Sequence, residues 1–267
     1  MSTRRLNGRV AVIVGAGQTP GQTVGNGRAT AVTFAREGAR LVLVDRDPAS
    51  LDETAESARA EGAEVHTVVA DVASDDGPAS IVAAAIDAFG GFEILHNNVG
   101  IAAGDGPPHH LADDAFDLIM SVNLRAMWRT CRAAVPTLRE SGNGVIVNVS
   151  SLASIAAAGN LTAYKLSKAG VNALTQNLAV TNAARGVRAN AILPGFIDTP
   201  MAVDAVARGL GADRSAVADA RAAAVPLGRQ GTAWDVANAA LFLASDEAAF
   251  ITGVLLCVDG GQSARVG

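Results

Sequence analysis

Apolar residues fall into short runs of strand length, bounded by glycines. These runs are apolar at consecutive positions rather than at alternate ones, which is typical of parallel strands covered by helices on both faces. We therefore predict seven strands, over residues 10–14, 41–45, 65–71, 93–97, 145–150, 187–193 and 254–258.

Longer segments with helical periodicity lie between these runs. Gly38 and Gly62 follow two of them, and Pro78 stands at the first position of a third. We predict helices over residues 25–37, 48–60, 78–89, 112–140, 161–184 and 232–244. Alternating strands and helices predict an α/β fold with a doubly wound parallel sheet of about seven strands, helices on both faces and right-handed crossovers. No linker or repeat divides the chain, so residues 1–267 are expected to form a single doubly wound domain.

One segment, residues 195–229, has no clear period. It begins with Pro-Gly, is rich in alanine and contains Gly209, Gly211 and Pro226. A long connection inside a compact domain is more often an active-site lid than a plain link. We therefore expect a substrate lid over about residues 196–229.

Composition narrows the classes of function. Of the 267 residues, 49% are hydrophobic and 18% are charged, and the net charge is −5. That balance suits a globular protein with a large core and gives no support to nucleic-acid binding, which needs a basic patch. Neither a run of membrane-spanning length nor a secretory leader is evident, so we expect a cytoplasmic protein without a membrane partner.

The two cysteines, Cys131 and Cys257, lie in a predicted helix and a predicted strand. Neither has a second cysteine at the spacing of a metal or redox motif. We interpret both as buried reduced thiols and predict no metal site.

A glycine-rich stretch follows the first predicted strand and leads into the first predicted helix. It contains Gly15, Gly17, Gly25 and Gly27. Glycines let the backbone turn tightly and approach a pyrophosphate, and the helix N-terminus offers free N–H groups and a positive dipole end. The position of the stretch, more than its composition, predicts a dinucleotide site.

Asp45 ends the second predicted strand. A carboxylate there can accept both ribose hydroxyls of an adenosine, which favours NAD, and it would repel a 2′-phosphate. The competing interpretation is a solvated helix cap. Arg46, which follows the acid, leaves NADP open as the cofactor.

Tyr164 and Lys168 lie four residues apart at the start of a predicted helix and therefore share one of its faces. An ammonium near a phenol favours the phenolate, so we predict a lowered Tyr164 pKa and an acid/base that works near neutral pH. Tyr164 is the single tyrosine of the chain, and the strand before it ends in Ser150 and Ser151.

These motifs make the whole chain resemble the short-chain dehydrogenase/reductase family. The resemblance rests on the glycine-rich loop, on Asn97-Asn98-Val99-Gly100, and on a serine upstream of Tyr-x-x-x-Lys. It implies a Rossmann fold, a nicotinamide dinucleotide cofactor and hydride transfer at an alcohol or carbonyl carbon.

The resemblance implies four catalytic residues. Tyr164 is expected to be the general acid/base, and Lys168 to bind the nicotinamide ribose and lower the tyrosine's pKa. Ser151 stands thirteen positions before Tyr164, as in the family, and is expected to position the substrate oxygen, whereas Ser150 is not. Asn123 is expected to complete a proton relay through a water held by its backbone.

The resemblance also implies the residues that line the cofactor. An acid and its neighbour after the third strand are expected at the adenine, and the Pro-Gly segment after the sixth strand at the nicotinamide. The expected set is Gly15, Gly17, Gly25, Asn26, Gly27, Asp45, Arg46, Asp71, Val72, Asn98, Gly100, Tyr164, Lys168, Pro194, Gly195, Ile197 and Thr199.

The glycine-rich loop departs from the family pattern. Val14 replaces a threonine, and Gly15 to Gly25 spans ten positions where the family has four, which implies a six-residue insertion. Pro20-Gly21 predicts a turn inside it. We hypothesise that this extra loop, residues 18–24, folds over the adenosine phosphates or the rim of the pocket. A divergent enoyl-reductase branch also has an altered loop, but its tyrosine and lysine are spaced more widely than here.

The sequence favours an NAD(H)-dependent oxidoreductase acting on an apolar secondary alcohol or ketone, because residues 152–161 and the lid are rich in Ala, Leu, Ile and Val. His109 and His110 are more simply explained as a solvated loop. The alternatives are a 3-oxoacyl-thioester reductase, which would more often use NADPH, and a non-catalytic module that senses dinucleotides. The family is usually tetrameric or dimeric, so we expect a homo-oligomer built on the two long helices and the C-terminal strand region.

Overall fold

The computed structural model describes residues 4–157 and 159–265. Within them, nine strands occur: β1 (Val10–Val14), β2 (Arg40–Asp45), β3 (Val65–Val69), β4 (Ile94–Asn97), β5 (Gly144–Val149), β6 (Val187–Pro194), β7 (Ile197–Asp198), β8 (Gly231–Thr232) and β9 (Leu255–Val258). Seven of them form one parallel sheet in the order β3-β2-β1-β4-β5-β6-β9, and β7 pairs with β8 alone. The predicted seven-stranded parallel sheet is confirmed.

Helices cover both faces of this sheet. The α-helices are α1 (Asn26–Arg36), α2 (Pro48–Ala60), α3 (Gly77–Phe89), α4 (Asp113–Met120), α5 (Ala126–Glu140), α6 (Thr162–Asn182), α7 (Ala205–Leu210), α8 (Arg214–Ala223) and α9 (Ala233–Ala244). A π-helical turn, Ser121–Arg125, joins α4 to α5, so the long helix predicted over residues 112–140 is continuous but widened in its middle.

Two hydrophobic cores lie on opposite sides of the sheet, and most of its strands supply side chains to both. In β1, Ala11 and Ile13 pack with α1, α2 and α9, whereas Val12 and Val14 pack with α3, α5 and α6. Successive side chains of a strand point to opposite faces, so a strand covered on both faces must be apolar at every position. That requirement explains why the strands read as unbroken apolar runs, and it leaves polar chemistry to the strand ends.

The segment predicted as a long connection without periodic structure contains more regular structure than expected. It holds β7, a π-helical turn (Pro200–Asp204), α7 and α8. Asp213 caps α8 by accepting from the N–H groups of Ser215 and Ala216. These helices are short and alanine-rich, and α8 has no buried residue among those described, so they have no apolar stripe that periodicity could detect.

The strand order reverses between β1 and β4, which are neighbours in the sheet although two strands separate them in sequence. In open α/β sheets, ligands bind outside the carboxyl ends of the strands at such a switch point. In the part of the chain that the structure describes, no helix combines the length and the apolar character needed to cross a bilayer.

Candidate active site

The carboxyl ends of β1, β2, β4, β5 and β6 meet at one edge of the sheet, and nearly all the predicted site residues follow them. β1 leads into Gly15, β2 ends at Asp45, and β5 leads into Ser151. Because parallel strands all end at the same edge, residues far apart in sequence converge there. The structure thus brings the predicted cofactor loop and the predicted catalytic residues to one edge.

The glycine-rich turn packs tightly against the start of α1. Gly15 has a φ of +83°, and a Cβ on Gly27 would lie 1.9 Å from the Gly15 carbonyl oxygen. The α1 helix begins at Asn26, whose side-chain Oδ1 has no hydrogen-bond partner among the described residues. The turn therefore presents bare backbone and a free helix N-terminus, which is the environment that a pyrophosphate fits.

Asp45 faces this turn from the end of β2. Its Oδ2 accepts from the N–H of Gly17 at 2.8 Å, and its Oδ1 accepts from the N–H of Asp47 at 3.1 Å. A Cβ on Gly17 would come within 2.8 Å of the Asp45 carboxyl carbon. The carboxylate is therefore held beside the turn, where an adenosine ribose would lie. Arg46, the other residue predicted here, is exposed.

The segment after β4 ties the glycine-rich turn to the catalytic side. Asn98 donates from Nδ2 to the Gly15 carbonyl at 3.0 Å. A Cβ on Gly100 would lie 3.1 Å from the Lys168 ammonium nitrogen, so a glycine at this position leaves room for that nitrogen. Asn97 points into the core instead, where its Nδ2 donates to Asn148 Oδ1 at 2.9 Å, and Asn148 donates to Thr175.

Ser151, Tyr164 and Lys168 lie together at the end of β5 and the start of α6. The Lys168 ammonium nitrogen is 5.7 Å from the centre of the Tyr164 ring and donates to the Val149 carbonyl at 2.9 Å. The Ser151 hydroxyl accepts from the Ala153 N–H. Ser150 is buried and donates to the Lys168 carbonyl, so its hydroxyl is committed to holding α6.

Burial dominates the electrostatics of this group. It raises the pKa of Tyr164, and the nearby Ser151 hydroxyl partly offsets that rise. It also lowers the pKa of Lys168 to about 8. The predicted lowering of the Tyr164 pKa is therefore wrong for this structure. The cause is desolvation: moving a phenolate out of water costs more free energy than its contacts inside the protein recover.

Asn123 lies in the π-helical turn and is completely buried. Its side-chain amide binds both backbone groups of Ile101, accepting from the N–H at 2.8 Å and donating to the carbonyl at 2.9 Å. It also donates to Ser167, one residue before Lys168. Such widened turns often occur at functional sites. The Asn123 side chain fixes the loop after β4 relative to α6.

The remaining predicted cofactor residues lie around the same edge. Val72 is buried, while Asp71 is exposed and accepts from the Ala73 N–H. Pro194 ends β6, and the Gly195 N–H donates to the Val258 carbonyl. Ile197 and Thr199 are buried, and Thr199 caps the π-helical turn of residues 200–204 by accepting from the Ala202 N–H.

The inserted loop, residues 18–24, closes on itself and rests on the segment predicted as a lid. Gln18 accepts from the Gly25 N–H and donates to the Thr23 carbonyl, which holds the two ends together. A Cβ on Gly21 would lie 2.7 Å from Pro200 Cβ. The Gln22 N–H donates to Asp204 at 3.1 Å. The loop therefore contacts the π-helical turn of residues 200–204, which lies in the segment predicted as a lid.

An ion-pair cluster underlies this contact. Asp204, which is 7% exposed, pairs with Arg214 at 3.2 Å, and Arg214 also binds Asp198. Two further hydrogen bonds join loop and lid: the Thr23 hydroxyl donates to Asp198, and the Arg208 guanidinium donates to the Pro20 carbonyl. The sequence pattern does not predict this cluster. Only the pairing of the loop with the lid reveals it.

A second residue that the sequence analysis missed is Asp105, in the loop after β4. Its carboxylate accepts from the N–H groups of Ala163 and Tyr164, at 3.0 and 2.8 Å. In the sequence it stands between glycines in a stretch that resembles an ordinary turn. His109 and His110, in the same loop, are both exposed, as the simpler interpretation expected.

Comparison with known proteins gives this geometry a family. A family model described as enoyl-(acyl carrier protein) reductase matches residues 21–263. The 2-(R)-hydroxypropyl-CoM dehydrogenase of Xanthobacter autotrophicus is 37% identical over 96% of this chain and 99% of its own. A crystal structure from Burkholderia xenovorans, assigned to the short-chain dehydrogenases/reductases, superposes with a TM-score of 0.93 at 40% identity, over 98% of this chain and 99% of that one.

The chain belongs to the short-chain dehydrogenase/reductase family. It is therefore an oxidoreductase, and the predicted family and enzyme class are confirmed. A further solved member, carveol dehydrogenase from Mycobacterium avium in complex with NAD, has a TM-score of 0.90 at 30% identity, covering 98% of this chain and all of that one. This short-chain dehydrogenase/reductase has its tyrosine and lysine four residues apart, at Tyr164 and Lys168.

Proposed function

We propose that this protein transfers a hydride between NAD(H) and an apolar secondary alcohol or its ketone, with Tyr164 as the general acid/base. The observation that carries the proposal is the convergence of Ser151, Tyr164 and the Lys168 ammonium at the edge of the sheet where the glycine-rich turn lies. A bound nicotinamide dinucleotide supplies the hydride acceptor for oxidation and the donor for reduction.

The protein's own part in the reaction is to hold the substrate oxygen and move its proton. The Ser151 hydroxyl donates to that oxygen. In oxidation the Tyr164 phenolate accepts the alcohol proton and becomes the phenol, and in reduction the phenol gives that proton to the forming alkoxide. Lys168 has a pKa of about 8, so its ammonium is mostly charged at neutral pH. One of its hydrogens goes to the Val149 carbonyl, which leaves others for the nicotinamide ribose. We assign Asn123 to a proton relay, in which its backbone would hold a water that passes the proton to or from Lys168.

NAD, rather than NADP, is the cofactor that the charges around the ribose favour. Asp45 projects beside the turn, where a 2′-phosphate would meet its carboxylate. Arg28, the arginine of the glycine-rich stretch, already binds Thr54, Ser50 and Glu53, so it is committed to α2. Exposed Arg46 is the remaining candidate for a 2′-phosphate.

An apolar substrate fits what surrounds the proposed site. Ile155 in the stretch after Ser151, and Met201, Val206 and Leu210 in the segment of residues 196–229, are large apolar side chains left exposed. Of the predicted lining 152–161, residue 158 lies outside the described residues. The hydroxypropyl group in the name of the Xanthobacter relative is itself a secondary alcohol, which agrees with this class. We infer that residues 196–229 act as the lid of a single domain.

We also infer that the protein is cytoplasmic and forms a homo-oligomer. The cytoplasmic assignment is supported by Cys131 and Cys257, which are both unpaired thiols. The oligomer is supported by an open apolar hollow of about 700 Å³ on α4, α5 and α6, lined mainly by Met120, Leu124, Trp128 and Leu174.

The test is a turnover assay of the purified protein against Tyr164→Phe. NADH and NADPH oxidation are followed with cyclohexanone, an aliphatic methyl ketone and a 3-oxoacyl thioester as probes. We expect turnover with NADH and a ketone in the wild-type protein, and a loss of at least about a thousandfold in the variant, since the phenol is the proton donor. Cofactor binding, measured by NADH fluorescence, should be unchanged.

Other outcomes separate the alternatives. Preference for the thioester and NADPH would indicate a 3-oxoacyl-thioester reductase. Tight NADH binding with no turnover on any probe would favour the dinucleotide sensor. Turnover that survives in Tyr164→Phe would contradict the proposed role of the tyrosine.

A further inference from the structure

The helix that carries Tyr164 and Lys168 has no cap of its own. Its N-cap position is occupied by Leu161, whose side chain cannot accept a hydrogen bond. The first N–H groups of a helix have no partner within the helix, and a Ser, Thr, Asp or Asn at the N-cap normally accepts from the second and third of them. In α6 these are the N–H groups of Ala163 and Tyr164 itself.

Asp105 supplies the missing cap from 58 and 59 residues earlier in the chain. Its Oδ1 accepts from Ala163 at 3.0 Å and its Oδ2 from Tyr164 at 2.8 Å, so each carboxylate oxygen holds one N–H. Oδ1 also accepts from the Gly106 N–H at 2.8 Å, which fixes the carboxylate on its own loop. A negative group at the positive end of a helix is favourable, which adds to these bonds.

A second bond joins the same loop to the same helix. The Thr162 hydroxyl donates to the Gly106 carbonyl at 2.7 Å. At the other end of the loop, the Asn123 side chain hydrogen-bonds the backbone of Ile101. The loop after β4 is therefore clamped at both ends to the elements that carry the proposed catalytic residues, and one of the clamps acts on the backbone of Tyr164.

We propose that Asp105 is a positioning residue for the reaction, which fixes the Tyr164 phenol by holding that residue's own backbone N–H. This inference rests on the proposed function of Tyr164. The side chain of Tyr164 starts from a Cα whose amide is held by Asp105, so a shift of the helix start moves the phenol relative to Ser151. Small misplacements of a reacting group are costly, up to about a hundredfold in rate for about 1 Å.

The experiment compares Asp105→Ala and Asp105→Asn with Thr162→Ala. The threonine variant removes the other link between the same loop and the same helix but leaves the Tyr164 N–H bond in place. We expect kcat with NADH and the best ketone probe to fall about tenfold or more in Asp105→Ala and by less in Asp105→Asn, which keeps one acceptor oxygen. Thr162→Ala should stay within about twofold, and KM should change little in all three.

A spectroscopic readout separates positioning from general loss of folding. Tyr164 is the single tyrosine, so the absorbance change near 295 nm on phenol ionisation reports its pKa alone. Ser151 and Lys168 face the phenol and remain in all variants. Removing the Asp105 charge and exposing the helix end both favour the phenolate, so both Asp105 variants should titrate at lower pH than wild type. Circular dichroism at each pH limits the comparison to folded protein.

Three results would decide the matter. A tenfold lower kcat together with a lower Tyr164 pKa and full NADH-binding stoichiometry supports the proposal. Equal behaviour of Asp105→Ala and Thr162→Ala, or a kcat that falls only in proportion to the NADH-binding sites, overturns it. If Asp105→Ala does not fold, Asp105→Asn decides: a kcat below that of Thr162→Ala together with a lower Tyr164 pKa supports the proposal, and a kcat equal to that of Thr162→Ala overturns it. Failure of the underlying function would look different, because Tyr164→Phe would then retain turnover.

Discussion

Burial sets the protonation behaviour of the two residues on which the proposed chemistry depends. Lys168 is 2% exposed, which lowers its pKa to about 8, while burial raises the pKa of Tyr164. The sequence predicted which tyrosine and which lysine meet, because helical spacing fixes that. It could not predict the direction of the tyrosine's pKa shift, since desolvation depends on side chains that arrive from other elements.

A buried histidine in the middle of the sheet should make stability depend on pH. His96 lies in β4 with no exposed surface, and neither ring nitrogen has a hydrogen-bond partner among the described residues. Burial lowers its pKa from 6.5 to about 4. Below pH 6.5 the unfolded chain binds a proton that the folded one does not, so stability is lost as the pH falls from 6.5 toward 4.

We expect the free energy of unfolding of the wild-type protein to fall by about 2 kcal/mol from this histidine when the pH is lowered from 7 to 5. His96→Leu should lack that part of the acid sensitivity, as measured by urea unfolding at the two pH values. His66→Leu, at an exposed position in β3, is the matched control and should behave like wild type. Equal acid sensitivity in both variants would show that His96 is not the source.

At the scale of elements, the inserted loop and the predicted lid form one contact. The loop follows β1 and the lid follows β6, yet the Gln22 N–H of the loop donates to Asp204 of the lid, a largely buried carboxylate that also pairs with Arg214. The sequence predicted an insertion and a lid separately. It could not predict their contact, because neither element carries a periodic pattern and the contact depends on how two distant strands end.

We expect Gly21→Ala to raise the KM for the ketone about tenfold with a smaller change in kcat, because loosening the lid weakens binding more than chemistry. An added Cβ at this position would lie 2.7 Å from Pro200 Cβ, in a rigid ring, and would push the loop away from the lid. Steady-state kinetics measures both constants.

The matched control for this variant is Gly209→Ala. That glycine lies in α7, within the same lid, and an added Cβ there meets no atom within 4 Å. Since alanine suits a helix better than glycine does, this variant should keep wild-type constants and fold at least as well. The coupling of loop to lid would be disproved if both variants gave the same KM as wild type.

At the scale of the whole molecule, apolar periodicity was sufficient to predict the sheet and its two layers of helices. The strands in the sequence are mostly apolar at consecutive positions because both of their faces are covered, as Ala11 and Val12 illustrate. The boundaries were less accurate: β3 ends at Val69, two residues before the predicted end. Residues 70 and 71 lie beyond the strand, where burial of apolar side chains no longer determines the backbone conformation.

An exposed apolar face on the long helices supports the proposed oligomer. Trp128 is 43% exposed and Leu118 is 53% exposed, and both lie on the continuous helix formed by α4 and α5. We expect light scattering to give a mass that is a multiple of the 26.9 kDa chain, and Trp128→Glu to shift it toward the single chain, because a buried charge disfavours the contact. Val69→Glu, at the edge strand β3, should leave the mass unchanged, and a wild-type monomer would refute the proposal.

The hydrogen bonds that join Asn97, Asn148 and Thr175 affect how the strands align. Strands that are apolar on both faces could slide past one another by two residues and still present apolar side chains to both cores. Asn97 pairs with Asn148 in the register of β4 and β5, and their hydrogen bond exists in this alignment alone. Slippage of β4 against β5 would leave buried amides without partners, so these polar side chains give that pair of strands a unique alignment that its hydrophobic residues do not specify.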